Sequence, residues 1–169
     1  GLKNGDLFTS SKDEKGKWKP VEELQGEVNT ELDEGAPGIT PDGQTMYLTV
    51  CPVDEQYPRC AEIHSSARSD ATWAKPVKLE ITSDTLSSYA HPAVSPDGQW
   101  LYFVSDMPGG LGGMDIWRMQ LSEHGAGVIE NLGAPINTEG DEMFPTFRPN
   151  GDLYFSSNGH VGMGGLDIY

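Results

Sequence analysis

Two stretches of the chain, NTELDE from Asn29 and NTEGDE from Asn137, set an amide and two carboxylates at the same spacing. Asn29, Asp33 and Glu34 match Asn137, Asp141 and Glu142, 108 residues further on. Between them Tyr89 takes the place of Glu34, and His91 follows two residues later. A fold that gathers recurring acids into a ring would bind a cation or a basic peptide. The same residue types also serve structure, because Asn and Asp side chains hydrogen-bond loop backbone. Asn29, Asp33, Glu34, His91, Asn137, Asp141 and Glu142 are the candidate binding residues. No catalytic set accompanies them. The chain has neither a G-x-S-x-G elbow nor an H-E-x-x-H pair. Its four histidines, His64, His91, His124 and His160, do not align with one another. It is expected not to be an enzyme.

Three other groups of residues could carry chemistry. Cys51 and Cys60 bracket CPVDEQYPRC at the two ends of a strand-to-strand connection. A hairpin base brings such residues close enough for a disulfide, which favours an oxidising compartment such as the periplasm. A metal site would need more ligands than nearby His64, so no metal is assigned. The glycine loops GGLGGMD (Gly109 to Asp115) and GMGGLD (Gly162 to Asp167) precede strands, not helices, which argues against phosphate binding. Their spacing departs from the calcium nonapeptide by one residue, so no cofactor is expected and calcium is a minor alternative. Asp115 and Asp167 read as side chains that fix these loops.

The elements that position these residues follow from an internal repeat. PDGQTMYLTV, PDGQWLYFVS and PNGDLYFSS share a turn whose prolines are Pro41, Pro96 and Pro149, 55 and 53 residues apart. A second marker, an acid followed by an aliphatic and a ring, begins at Asp6, Glu62, Asp115 and Asp167, at steps of 56, 53 and 52. WKPVEEL at Trp18 and WAKPVKL at Trp73 keep the same register. The period is therefore about 54 residues. Within it, a short strand enters a Pro-Asp-Gly turn, where Asp42, Asp97 and Asn150 are turn formers. An apolar, aromatic strand follows, then a glycine loop, a third strand such as DIWRMQL, and a fourth such as WAKPVKLE. Four antiparallel strands of this size make a propeller blade. Blades bury their faces against each other, so Tyr47, Tyr102, Phe103, Tyr154 and Phe155 are expected in the layers between them. The expected fold is all-β, a partial propeller holding about three blades' worth of strands. Residues 5–24 end one blade, 36–80 and 90–132 form two, and 144–169 begin another. The NTE-x-DE stretches precede the innermost strand, at one mouth of the central channel.

Composition bounds the partners. The 169 residues include 21 Gly and 12 Pro and carry a net charge of −15. That charge argues against a nucleic-acid surface and against docking on anionic lipid. No segment is long and apolar enough to span a membrane, and no signal peptide opens the chain, so direct membrane insertion is not expected. Gly1 looks like a processing remnant, as in a mature exported protein or an excised domain.

The pattern SPDG…LYF.S…G.GG.DIY resembles the TolB-type, WD-like propeller repeat. It is most similar to the variant in Gram-negative envelope proteins that carry tetratricopeptide repeats before the propeller and an OmpA-like peptidoglycan-binding domain after it. Some of these belong to the type IX secretion machinery. The first full unit departs from the pattern, with CPVDEQYPRC in place of the glycine loop. The resemblance implies a periplasmic scaffold or protein-binding module, associated with the outer membrane or cell wall. It would bind a protein or peptide partner, meet peptidoglycan only through other domains, and self-associate if a ring must be completed. The alternatives are an accessory propeller of a prolyl-oligopeptidase-like hydrolase and a glycan- or calcium-binding propeller.

Overall fold

A computed structural model describes residues 5–52, 61–122 and 125–169. Those residues form antiparallel sheets and no helix. β1 (Phe8–Thr9) pairs with β2 (Glu22–Glu23). β3 (Asp33–Ile39), β4 (Thr45–Cys51) and β5 (Glu62–Ser69) build the next sheet, whose outer edge is shared by β6 (Thr72–Trp73) and β7 (Val77–Lys78). β8 (Tyr89–Val94), β9 (Trp100–Ser105), β10 (Asp115–Ser122) and β11 (Gly125–Asn131) run in order through a four-stranded blade. β12 (Glu142–Phe147), β13 (Leu153–Ser157) and β14 (Asp167–Ile168) form the last sheet. The chain is a partial β-propeller.

The expectation of one fourth strand over WAKPVKLE needs correction in the first full unit. Two short pieces pair with β5 there, Arg68 with Trp73 and His64 with Lys78. Pro76 lies between the pieces and has no N–H to give the ladder, so pairing breaks around it.

Strand alternation sends neighbouring side chains to opposite faces, and each face meets a different blade. Leu101 and Phe103 of β9 pack with Ile63 of β5, Tyr89, Trp117 and Met119. Val104, between them and Ser105, packs instead with Ile116 and Phe155 of the following sheet. A third layer joins Leu7 and Val28 to Met46, Leu48, Val50 and Trp73. The repeated aromatic run is thus written for two interfaces at once. Among the expected aromatics, Phe103 and Phe155 are buried, while Tyr47, Tyr102 and Tyr154 are half-buried.

The turns behave alike in all three units. The N–H of Gly43, Gly98 and Gly151 donates to the carbonyl of Thr40, Ser95 and Arg148 at 2.8, 2.8 and 2.9 Å. Asp42, Asp97 and Asn150 accept the N–H two residues on, from Gln44, Gln99 and Asp152. Asp115 accepts from the N–H of Leu111 and Gly112, and Asp167 from Met163 and Gly164. Gly112 is required by proximity, since a Cβ there would lie 2.3 Å from the Gly140 carbonyl oxygen.

Each innermost strand carries a bulge at the same place. Register shifts between Gly35 and Gly38, between Ala90 and Ala93, and between Met143 and Thr146. Ala36, His91 and Phe144 occupy the shifts with φ of 44°, 51° and 54°, and a proline follows each. Non-glycine residues rarely hold such angles, at a cost of about 1–3 kcal/mol each. β8 packs between β3 and β12, so the three bulges sit on adjacent inner strands.

Candidate functional site

The seven candidate residues fall into two groups. Six of them are attached to the blade before their own. Asn137 accepts the Ile116 N–H on Oδ1 at 2.9 Å and returns Nδ2–H to the Ile116 carbonyl at 2.9 Å. Asn29 holds Leu7 in the same way, at 2.8 and 3.1 Å. Asp141 accepts from Met114 N–H at 3.0 Å, and Asp33 from Gly5 N–H at 2.6 Å. The N–H of Glu142 and Glu34 donates to the Met114 and Gly5 carbonyls. Each NTE-x-DE stretch is therefore a clamp on the third strand of the preceding blade. In the middle unit Tyr89 N–H keeps the backbone bond, to the Ala61 carbonyl at 3.0 Å.

The two buried glutamates differ. Glu142 is 0% exposed and accepts from Thr138 N–H, Thr138 Oγ1–H and Ser157 Oγ–H at 2.9, 2.7 and 2.6 Å. Glu34 is 5% exposed and accepts from Thr30 Oγ1–H on Oε1. Its Oε2 is buried and has no donor among the described residues. The second oxygen of Glu142 takes the Thr138 N–H, a bond without a counterpart at Glu34 Oε2, and register removes a further donor to the first oxygen. Glu142 pairs with Ser157 across the ladder, whereas Glu34 pairs with Val50, which has no hydroxyl. Glu34 and Val50 line a cleft of about 750 Å³, with Glu27, Glu31, His64 and Lys75 around it. His64 and Lys78 both reach Glu62, at 3.3 and 2.8 Å. Burial pushes the Glu62 pKa up, but the bonds from Lys78 and His64 outweigh it and hold the carboxyl below its ordinary range.

His91 belongs to the second group, on the inner wall. Its ring stacks on Phe144 with centroids 3.9 Å apart and planes 23° apart. Its N–H donates to Thr49 Oγ1 at 2.9 Å, and its Nδ1 accepts the Phe144 N–H at 3.4 Å. That acceptor role leaves the neutral ring's proton on Nε2. Burial lowers the His91 pKa from its ordinary 6.5, so the ring is neutral at neutral pH. Phe144 is 51% exposed. Sequence reading missed it, although FPT at Phe144 sits in the repeat where HPA at His91 and APG at Ala36 sit. An X-Pro pair recurring in the innermost strand was the available signal.

Cys51 ends β4 opposite Asp33. Cys60 lies outside the described residues, and so does the expected disulfide. Among the described residues no three His, Cys, Asp or Glu side chains are grouped to hold a metal ion. Nor is any helix long and apolar enough to cross a membrane.

No family model matches the chain, and no curated protein matches it. Solved structures do. TolB from Acinetobacter baumannii superposes with a TM-score of 0.51 at 18% identity, over 92% of this chain and 32% of that one. A structure described as TolB from Agrobacterium tumefaciens gives 0.54 at 21% identity, over 95% and 59%. The fold is that of a TolB-type β-propeller. The chain spans about a third and about three fifths of those two proteins. A puromycin-hydrolysing peptidase of Mycobacterium tuberculosis gives 0.52 at 19% identity, over 88% of this chain and 21% of its own.

Proposed function

We propose that the chain is a non-enzymatic protein- or peptide-binding module of a cell-envelope protein, with the inner wall of the propeller as its binding face. The observation that carries this reading is the His91–Phe144 stack, held at positive φ where the backbone is strained. Strain of this kind persists where the surroundings over-determine it, and it clusters at ligand contacts. A half-exposed ring on a rigid inner strand offers contact area at little entropic cost. The envelope setting, periplasmic and tied to the outer membrane or cell wall by other domains, rests on the resemblance of the repeat. A Cys51–Cys60 disulfide belongs to the same setting, as does self-association that completes a ring. Likeness to the peptidase favours a second reading, an accessory propeller of a hydrolase.

A displayed random-peptide library panned on the immobilised chain tests the binding reading. Selected peptides are expected to lose about tenfold or more in affinity on Phe144→Ala, in line with removal of an aromatic anchor. Peptides that bind the variant as well as the parent chain would overturn the inner-wall assignment.

A further inference from the structure

We infer that the cleft beside Glu34 is a second binding site, one that takes a basic side chain, ammonium or guanidinium, from a peptide segment. This rests on the peptide-binding reading above and locates a charged pocket apart from the aromatic wall. Four observations carry it. Glu34 is 5% exposed and its Oε2 is buried, yet Oε2 has no donor among the described residues. A buried acceptor without a partner is costly, more so when charged, and native folds leave few of them. The repeat supplies its own control, because Glu142 at the matching position has three donors. The second oxygen of Glu142 takes the Thr138 N–H, a bond that the second oxygen of Glu34 lacks, and Val50 stands where Ser157 adds a hydroxyl to the first.

The space and charge at this point match a cationic group. The cleft of about 750 Å³ is within the range that holds a side chain and part of its backbone. Glu27 and Glu31 add negative charge at its rim, in a chain of net charge −15. A charge-assisted hydrogen bond to a desolvated carboxylate is about twice as strong as a neutral one. Lys75 lines the same cleft and is the one competing ammonium among the residues around it. Val50 and the nearby Leu32 give the stem of a long basic side chain apolar surface to lie on.

The test uses three blocked peptides, acetyl-Gly-Gly-X-Gly-Gly-amide with X as lysine, arginine or norleucine. Binding is followed through the Glu34 side-chain carboxyl carbon by NMR, with Phe144→Ala as a variant that leaves the cleft intact. The lysine or arginine peptide is expected to move that signal, and norleucine to leave it in place. Glu34→Gln keeps the shape but removes the charge, so it should weaken the basic peptide about tenfold. Lys75→Met, which removes the competing ammonium, should tighten binding. A norleucine peptide that binds equally well, an affinity unchanged by Glu34→Gln, or a Glu34 signal unmoved by any peptide would overturn the site. The last result would assign Oε2 to a buried water. Library peptides that depend on Phe144 but not on Glu34 would keep the inner-wall reading and remove this one.

Discussion

Replacing Asn137 by alanine tests the clamp that ties one blade to the next. The side chain is 2% exposed and makes three hydrogen bonds, two to Ile116 and one to Asn131 Oδ1. Ile116 is itself 0% exposed, so truncation leaves its N–H buried without a partner, while its carbonyl keeps the Leu132 N–H at 3.2 Å. Each orphaned group costs about 1–3 kcal/mol. One orphaned N–H and the lost Nδ2–H bonds put the expected loss near about 2 kcal/mol, within the usual range for single substitutions. With a urea m-value of about 2 kcal/mol/M, the midpoint should fall by about 1 M. Asn29 holds Leu7 in the same way but is only half-buried, so Asn29→Ala should lose about half as much. Asn137→Asp is a sharper variant. It keeps an acceptor for the Ile116 N–H but turns a carboxylate oxygen toward two other acceptors, the Ile116 carbonyl and Asn131 Oδ1. It should be at least as damaging as alanine. Urea unfolding followed by tryptophan fluorescence and by circular dichroism measures all three, with coincident curves licensing the comparison. A loss under about 0.5 kcal/mol for Asn137→Ala would show that water or another side chain satisfies Ile116, and the clamp argument would fail.

Two further outcomes concern the inner wall. Phe144→Gly and Phe144→Ala both remove the ring, but only glycine accepts a φ of 54° without strain. The glycine variant should be the more stable by about 1 kcal/mol in urea, and the opposite order would contradict the strained bulge. Burial lowers the His91 pKa in the folded state, so the unfolded chain takes up the proton first as pH falls. The stability that His91 contributes is complete above its ordinary value and declines as pH drops from there toward the folded pKa. An imidazole titration by NMR with a midpoint at or above 6.5 would refute the assignment.

The blades were legible because the repeat writes each constraint several times. Pro-Asp-Gly turns, alternating apolar strands and acid-led third strands are local, and local chemistry reads directly. The clamps were half legible. Recurrence marked Asn137 and Glu142, but spacing alone does not tell a ligand from the backbone of Ile116 21 residues away. The break in the fourth strand at Pro76 was visible as a residue type and not as an outcome. The orphaned oxygen of Glu34 was beyond reading, since it depends on whether a backbone N–H of the preceding loop reaches it, as the Thr138 N–H reaches Glu142. Phe144 escaped notice because its meaning comes from a bulge, where register and backbone angle, not side-chain pattern, choose the residue that is left half-exposed.

The clamps also have a direction. Asn29 reaches back to Leu7 and Asn137 back to Ile116, never forward. During synthesis a blade's third strand is therefore secured by the connecting loop that leaves the ribosome just after it. No later blade is needed for that step, so the propeller can be built in order, each finished unit locked by the chain that follows while the next is still being made. An edge exposed during growth is then always the newest one, which limits the time any strand spends open to wrong partners.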